Sequence, residues 1–142
     1  ALARELGCQV GDEWVQISGL RTLGDDGMPI CLANVYVIPD YGSIAQRLGG
    51  SSRPVYEMIA ETFKESIENI TIRLTAGVLS EQKAAILGAE PGSPSLSVSR
   101  FYQGRGGRIF EASISELPAS NFSYTFEFTR GWQTADHWSW NN

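Results

Sequence analysis

The most informative segment of the chain is residues 96–117, which read LSVSRFYQGRGGRIFEASISEL. Two runs rich in strand-forming residues flank a glycine-rich turn at residues 104–107, an arrangement typical of a β-hairpin. A four-residue turn would place Arg100 opposite Glu111 on the neighbouring strand. Because side chains alternate between the two faces of a strand, these two charged residues would share one face of the sheet.

That face would also carry apolar and hydroxyl side chains. With strict alternation its members are Leu96, Val98, Arg100 and Tyr102 from the first strand, and Ile109, Glu111, Ser113 and Ser115 from the second. Two interpretations stay open at this point. The charged pair is a cross-strand ion pair, which contributes little if it is exposed, or it belongs to a ligand pocket. Spacing alone does not decide between them, because buried charges are usually paired in either case.

The rest of the chain predicts short strands and helices without the regular alternation of a parallel sheet. We expect an α+β fold, a mostly antiparallel sheet flanked by helices. The tail after Arg130 is rich in aromatic residues and predicted to be irregular. Predicted strands are 14–21, 30–38, 67–79 and 122–128, in addition to 96–103 and 108–117 of the hairpin; predicted helices are 1–7, 41–48, one beginning at Pro54, and 81–87 between Ser80 and Gly88.

Composition narrows the function classes. The 142 residues suit one domain, 1–142, and the net charge of −5 with scattered Lys and Arg argues against binding a phosphate backbone. Cys8 and Cys31 lack zinc or disulfide spacing and suit a reducing cytoplasm, and His137 is the only histidine. We therefore expect no metal site and no cofactor. No apolar run is long enough to span a membrane, and no signal peptide is recognisable.

Two further arginines are candidates for binding an anion. Arg21 follows Val15 and Ile17 on one strand face, where it either emerges at a sheet edge or clamps a carboxylate or phosphate. Arg53 begins the helix that carries Tyr56, and a helix start either receives an ordinary N-cap or binds an anion. For both arginines the sequence alone favours the plain structural role. No catalytic triad, zinc-protease or P-loop motif is present.

Taken in order, several segments resemble the UTRA (chorismate-lyase-like) domain, the effector-binding domain of GntR-type transcription regulators of the HutC group. Each segment is weakly specific, but the ordered set covers nearly the whole chain. The matching segments are WVQISGLR (14–21), GMPI (27–30), VYVIP (35–39), PVYEMI (54–59), AAILG (84–88), GSPSLSVSR (92–100), FEAS (110–113) and FSYTF (122–126).

The resemblance implies a pocket beside an antiparallel sheet, a homodimer, and a winged helix-turn-helix DNA-binding domain upstream that this chain lacks. DNA would be bound only through that domain, in the cytoplasm. Family ligand contacts map onto Arg21, Arg53, Pro54, Tyr56 and Glu111. With the hairpin face added, the candidate ligand-binding residues are Arg21, Arg53, Tyr56, Arg100, Tyr102, Glu111 and Ser113.

The sequence departs from the family pattern where sugar-phosphate-sensing members carry an Arg-x-Arg pair. Here Gly19-Leu20-Arg21 keeps only the second arginine, and Ala33 replaces a common acidic residue. We therefore expect a small polar, anionic effector such as a carboxylate, while phosphate stays open because Arg53 could compensate. The alternatives are a chorismate-lyase-like enzyme, since fold alone does not separate binding from catalysis, and a dimerisation module with a vestigial pocket. Whether the regulator represses or activates is left open.

Overall fold

The secondary structure follows the hydrophobic pattern of the sequence along most of the chain. The computed structural model describes residues 1–49, 53–130 and 133–140. Its helices are α1 Leu2–Leu6, α2 Val55–Phe63 and α3 Glu81–Leu87, with 3₁₀ segments at Pro39–Arg47, Arg105–Gly107 and Ala119–Asn121. Its strands are β1 Val15–Leu23, β2 Met28–Val37, β3 Asn69–Val78, β4 Pro94–Gln103, β5 Ile109–Pro118, β6 Phe122–Thr129 and β7 Gln133–Trp140.

The strands form a five-stranded, mostly antiparallel sheet and a separate two-stranded sheet. The strand order of the larger sheet is β1-β2-β5-β4-β3, and β6 pairs with β7. This confirms the predicted α+β fold. Local capping explains the helix that was predicted to the residue, α3. The Ser80 hydroxyl accepts a hydrogen bond from the Lys83 N–H (3.3 Å), and Gly88 ends the helix in the left-handed conformation at φ 63°.

Two predictions about local structure need correction. The tail is not irregular, since β7 pairs antiparallel with β6, with Phe126 opposite Asp136 and Thr129 opposite Gln133. Backbone pairing with β6 fixes this strand, and pairing with a neighbour is not visible in the tail's own pattern. The short helix predicted at 41–48 is a 3₁₀ segment that begins earlier, with Pro39 in its first turn.

The chain divides into two compact units, of which the first comprises residues 1–19, 33–74 and 98–115. Its core has two clusters on opposite faces of the sheet. Tyr102 and Phe101 are neighbours on β4 but belong to different clusters. Tyr102 packs with Ile59 of α2, whereas Phe101 packs with Leu6 of α1. The buried members of the α2-side cluster are Val37, Ile44, Ile59, Tyr102 and Phe110; those of the α1-side cluster are Leu6, Tyr36, Phe101 and Ala112.

Alternation along β5 is interrupted once. Phe110 belongs to the α2-side cluster, yet Ala112, two residues later, belongs to the α1-side cluster. Such a break is what a β-bulge produces, because one extra residue shifts all later side chains to the other face. The prediction that Ile109 shares a face with Tyr102 is therefore wrong, since Ile109 packs in the α1-side cluster.

The second unit comprises residues 20–32, 75–97 and 116–142. Within its described residues, Leu79, Ala84 and Leu87 form a small core beside Leu32. An ion pair joins Lys83 of α3 to Glu116, whose side chain is 14% exposed. No helix among the described residues is both long and apolar enough to cross a membrane.

Candidate ligand-binding site

A stacked pair of tyrosines joins α2 to β4. Tyr56 lies in the first turn of α2 and Tyr102 near the end of β4, and their ring centroids are 4.6 Å apart with planes inclined at 16°. Ile59, fully buried one turn after Tyr56, anchors the helix against the sheet. Stacking of this kind gives both rings a defined position. The start of α2 is therefore held against the second hairpin.

Glu111 lies on β5, the middle strand of the five-stranded sheet, and is only 2% exposed. Its Oε2 is buried and has no hydrogen-bond partner among the described residues. Burial raises the pKa of Glu111 to about 8. The carboxyl is therefore mostly protonated at neutral pH and can donate a hydrogen bond. A buried polar atom without a partner is rare, and water or a ligand commonly satisfies it.

Tyr56 connects this carboxyl to Arg100. Its pKa is raised first by burial, then by the charge of Glu57 and a long hydrogen bond to it (3.4 Å), and further by the charge of Glu111. The charge of Arg100 lowers the pKa of the same hydroxyl. Both groups are thus close enough to act electrostatically on one phenol. The structure brings together Tyr56, Arg100, Tyr102 and Glu111, which come from α2, β4 and β5.

The sequence left open an ion pair between Arg100 and Glu111. This ion pair is not formed in the described structure. Glu111 appears in no ion pair among the described residues, and its pKa is raised rather than lowered. A close guanidinium partner would have favoured the charged carboxylate. The plain cross-strand ion pair is therefore not formed among the described residues, and the ligand pocket stays a prediction.

The other three predicted residues differ in their exposure. Arg53 is on the surface, where its Nη1 lies 2.7 Å from Glu61 Oε2, with side chains 53% and 63% exposed. Ser113 is half-buried on β5, two residues after Glu111. Arg21 is exposed on β1 and belongs to the second unit. Within the part of the chain that the structure describes, no group of three or more potential metal ligands occurs.

The structure also shows features that the sequence did not reveal. Tyr41, Glu65 and Arg108 form a network close to the β4–β5 turn. Their sequence separations are 24 and 67 positions, so no local pattern indicates the contact. A groove of about 710 Å³ lies within the second unit, with Met28, Pro29, Leu87, Pro94 and Pro118 among its mainly apolar walls.

Comparison with known families identifies the class of protein. The UTRA domain family matches residues 1–123, so the chain belongs to this family. The match ends at Ser123, the second residue of β6, and the β6–β7 hairpin continues beyond it. No curated protein sequence matches the chain significantly.

Solved structures agree with this assignment. The ligand-binding domain of a protein assigned to the GntR family of transcriptional regulators from Bordetella bronchiseptica is 26% identical, with a TM-score of 0.71 over 89% of this chain and 81% of that one. A GntR-family transcriptional regulator from Bacillus cereus is 19% identical, with a TM-score of 0.74 over 89% and 87%. PhnF from Mycobacterium smegmatis is 18% identical, with a TM-score of 0.67 over 84% of this chain and 52% of that one. The last two similarities show the fold.

Proposed function

We propose that this chain is the effector-sensing domain of a GntR-family regulator of the HutC group, and that it binds a small polar, anionic metabolite beside Glu111. The observation that carries the proposal is the Glu111 carboxyl, whose Oε2 is buried without a hydrogen-bond partner in the described structure. Arg100 and the stacked Tyr56 and Tyr102 lie near it. A buried carboxyl with a strongly shifted pKa is a recurrent feature of functional sites.

The charges of this site favour an anion. With a pKa of about 8, Glu111 is mostly neutral at neutral pH, so its carboxyl offsets little of the positive charge of the Arg100 guanidinium. A ligand carboxylate or phosphate would pair with that guanidinium and accept a hydrogen bond from the protonated Glu111. Contacts from Arg21, Arg53 and Ser113 stay predictions that rest on the family resemblance and on the hairpin face.

For the whole protein we propose a homodimer in the cytoplasm with a winged helix-turn-helix domain upstream of this single domain. That domain would provide the DNA contacts, consistent with a net charge of −5 here. PhnF, which this chain spans over 52% of its length, has room for a further domain of that kind. Effector binding would alter DNA affinity by favouring one dimer geometry, which requires different affinities for the two states. We propose binding without catalysis and without a cofactor.

Thermal unfolding in the presence of small anions tests the ligand site directly. Inorganic phosphate, acetate, citrate and 4-hydroxybenzoate are the probes, and methylammonium is the cationic control. A ligand that binds only the folded state raises Tm, so we expect at least one anion, and not methylammonium, to do so. Arg100→Gln and Glu111→Ala should abolish the shift, and Arg21→Ala tests the contact implied by the resemblance.

Arg73→Gln is the matched control, since Arg73 lies over the ring of Phe101, a residue of the α1-side cluster, 5.4 Å from its centroid. This variant should keep the anion-induced shift. No stabilisation by any anion would contradict the sensing role, and a full shift in Arg100→Gln and Glu111→Ala would place the ligand elsewhere. Conversion of chorismate to 4-hydroxybenzoate by the purified protein would favour the enzyme alternative.

A further inference from the structure

Three side chains form a polar contact near the C-terminal end of α2. Tyr56 lies at the opposite end of this helix. The Tyr41 hydroxyl donates a hydrogen bond to Glu65 Oε2, and Arg108 Nη2 lies 3.6 Å from the same oxygen. The Arg108 guanidinium also donates to the Tyr41 hydroxyl (3.4 Å) and lies 3.7 Å from Asp40 Oδ2 through its Nη1. We call Tyr41, Glu65 and Arg108 the clasp.

The clasp is packed as well as hydrogen-bonded. The Tyr41 ring stacks on Phe63, the last residue of α2, with centroids 4.6 Å apart, and meets the edge of Phe110 at 6.2 Å. The Arg108 guanidinium lies 5.9 Å from the centre of the Tyr41 ring. Although Arg108 is 55% exposed, the Glu65 side chain is only 10% exposed. The clasp therefore joins the 3₁₀ segment, the end of α2 and the start of β5.

Gly104 provides the space in which Glu65 lies. A Cβ at this position would be 2.2 Å from Glu65 Oε1, 2.9 Å from Glu65 Cδ and 3.3 Å from the Ser66 carbonyl oxygen. The φ of Gly104, −95°, is open to any residue, so the requirement for glycine is steric and not conformational. The adjacent backbone is also tied, since the Glu68 N–H donates to the Gln103 carbonyl (2.9 Å).

The clasp lies between the elements that carry the proposed ligand site. Gly104 lies two residues after Tyr102, just beyond the end of β4, and Arg108 lies three residues before Glu111, just before the start of β5. Helix α2 carries Tyr56 near its start and Phe63 at its end, about 10 Å apart at a rise of 1.5 Å per residue. A displacement of Phe63 along a rigid helix would therefore also displace Tyr56.

We propose that Glu65, Tyr41 and Arg108, closed over Gly104, are positioning residues of the ligand site. They fix where α2 presents Tyr56 to Tyr102 and Glu111. That these residues serve a ligand site rests on the proposed function. That they fix the position of Tyr56 does not depend on a ligand. A clasp with only a local structural role would change stability and leave the Tyr56–Tyr102 stack unmoved.

Nuclear magnetic resonance of ring-labelled ¹³C-tyrosine protein tests the geometry. The chain has five tyrosines, so each resonance can be assigned with a single Tyr→Phe variant. In Glu65→Gln and Gly104→Ala we expect the resonances of Tyr56 and Tyr102 to shift, because ring currents depend on the stacking distance. The resonance of Tyr36, which belongs to the α1-side cluster, should stay in place.

Glu61→Gln is the matched control on the same helix, because it removes only the surface contact with Arg53. It should leave both stacked rings unshifted. A second variant pair tests the mechanism: Gly104→Ala should add little in a Glu65→Ala background, where the clashing carboxylate is gone, giving clear non-additivity. Where Gly104→Ala does not fold, Arg108→Gln replaces it, since the Arg108 side chain is half-exposed.

Unmoved Tyr56 and Tyr102 resonances in folded Glu65→Gln and Arg108→Gln would overturn the proposal. Fully additive effects in the Gly104–Glu65 pair would do the same. Different experiments test the two proposals. If no anion stabilises the protein, the sensing role is contradicted. The tyrosine resonance shifts are measured without added ligand and test only the positioning role of the clasp. Once an anion is identified, clasp variants should weaken its binding more than Glu61→Gln does.

Discussion

Two glutamates of the first unit, one partly buried and one fully buried, have opposite surroundings. Glu65, with a side chain 10% exposed, accepts a hydrogen bond from Tyr41 and lies 3.6 Å from Arg108. Glu111, 2% exposed, keeps an oxygen without any partner in the described structure, and burial raises its pKa to about 8. The same side chain therefore makes an internal contact in one place and is an unsatisfied group in the other.

The position of each glutamate in the fold explains the difference. Glu65 lies just after α2, where the 3₁₀ segment and the β4–β5 turn both reach it with polar side chains. Glu111 lies on the middle strand, next to Phe110 of a cluster that is otherwise aromatic and aliphatic. A fold keeps a buried unsatisfied polar group at a cost in stability, and such groups mark functional sites more often than structural ones.

The largest effect that separates the two glutamates should be the pH dependence of stability. Because the pKa of Glu111 is raised from 4.5 to about 8, the folded state keeps a proton that the unfolded state releases. Its contribution is fully present below about pH 4.5 and is lost as pH rises towards 8, at about 1.4 kcal/mol per pH unit. Glu111→Gln removes this loss, so its stability relative to wild type should increase by several kcal/mol between about pH 5 and about pH 9. Urea unfolding across this pH range measures the difference.

Glu13→Gln, at an exposed position, provides the control for that titration. It should follow the wild-type dependence on pH. A Glu111→Gln variant whose stability advantage does not grow between about pH 5 and 8 would show that burial does not raise the pKa of the Glu111 carboxyl.

A smaller effect of opposite sign is expected from the partnered glutamate. Glu65→Ala leaves the Tyr41 hydroxyl without its acceptor and Arg108 without a nearby carboxylate, so unfolding should become easier by about 1–3 kcal/mol at neutral pH. Tyr41→Phe, which removes a single hydroxyl, should lose about 1 kcal/mol. Denaturant unfolding measures both. If Glu65→Ala is as stable as wild type, the contacts of the clasp do not contribute to the free energy of unfolding.

The smallest effect is expected on the surface of α2. The Arg53–Glu61 contact joins side chains that are 53% and 63% exposed, so Arg53→Ala should change stability by less than about 1 kcal/mol. High salt should reduce even this difference, because solvent screens exposed charges. A loss larger than that of Tyr41→Phe would mean that Arg53 contributes to more than a surface ion pair.

Much of the fold could be predicted because its signals are local. Ser80 caps the start of α3, and Gly88 ends the helix in the left-handed conformation. The glycine-rich segment 104–107 predicts the turn of the second hairpin. Alternating aromatic residues predicted β6, and helical spacing after Pro54 predicted α2. The placement of Arg100 and Tyr102 on one face has the same local origin, the two-residue period of a strand.

The sequence by itself determined the α+β class, the hairpin that carries Arg100 and Glu111, and the helix that carries Tyr56. Only the tertiary structure decided which carboxyl would be partnered, where alternation along β5 is interrupted, and that the tail pairs with β6. The physical reason is the distance along the chain over which each interaction acts. Caps, turns and periodicity act over a few residues, whereas the contacts of Glu65 with Tyr41 and Arg108 and the isolation of Glu111 arise when distant segments pack together.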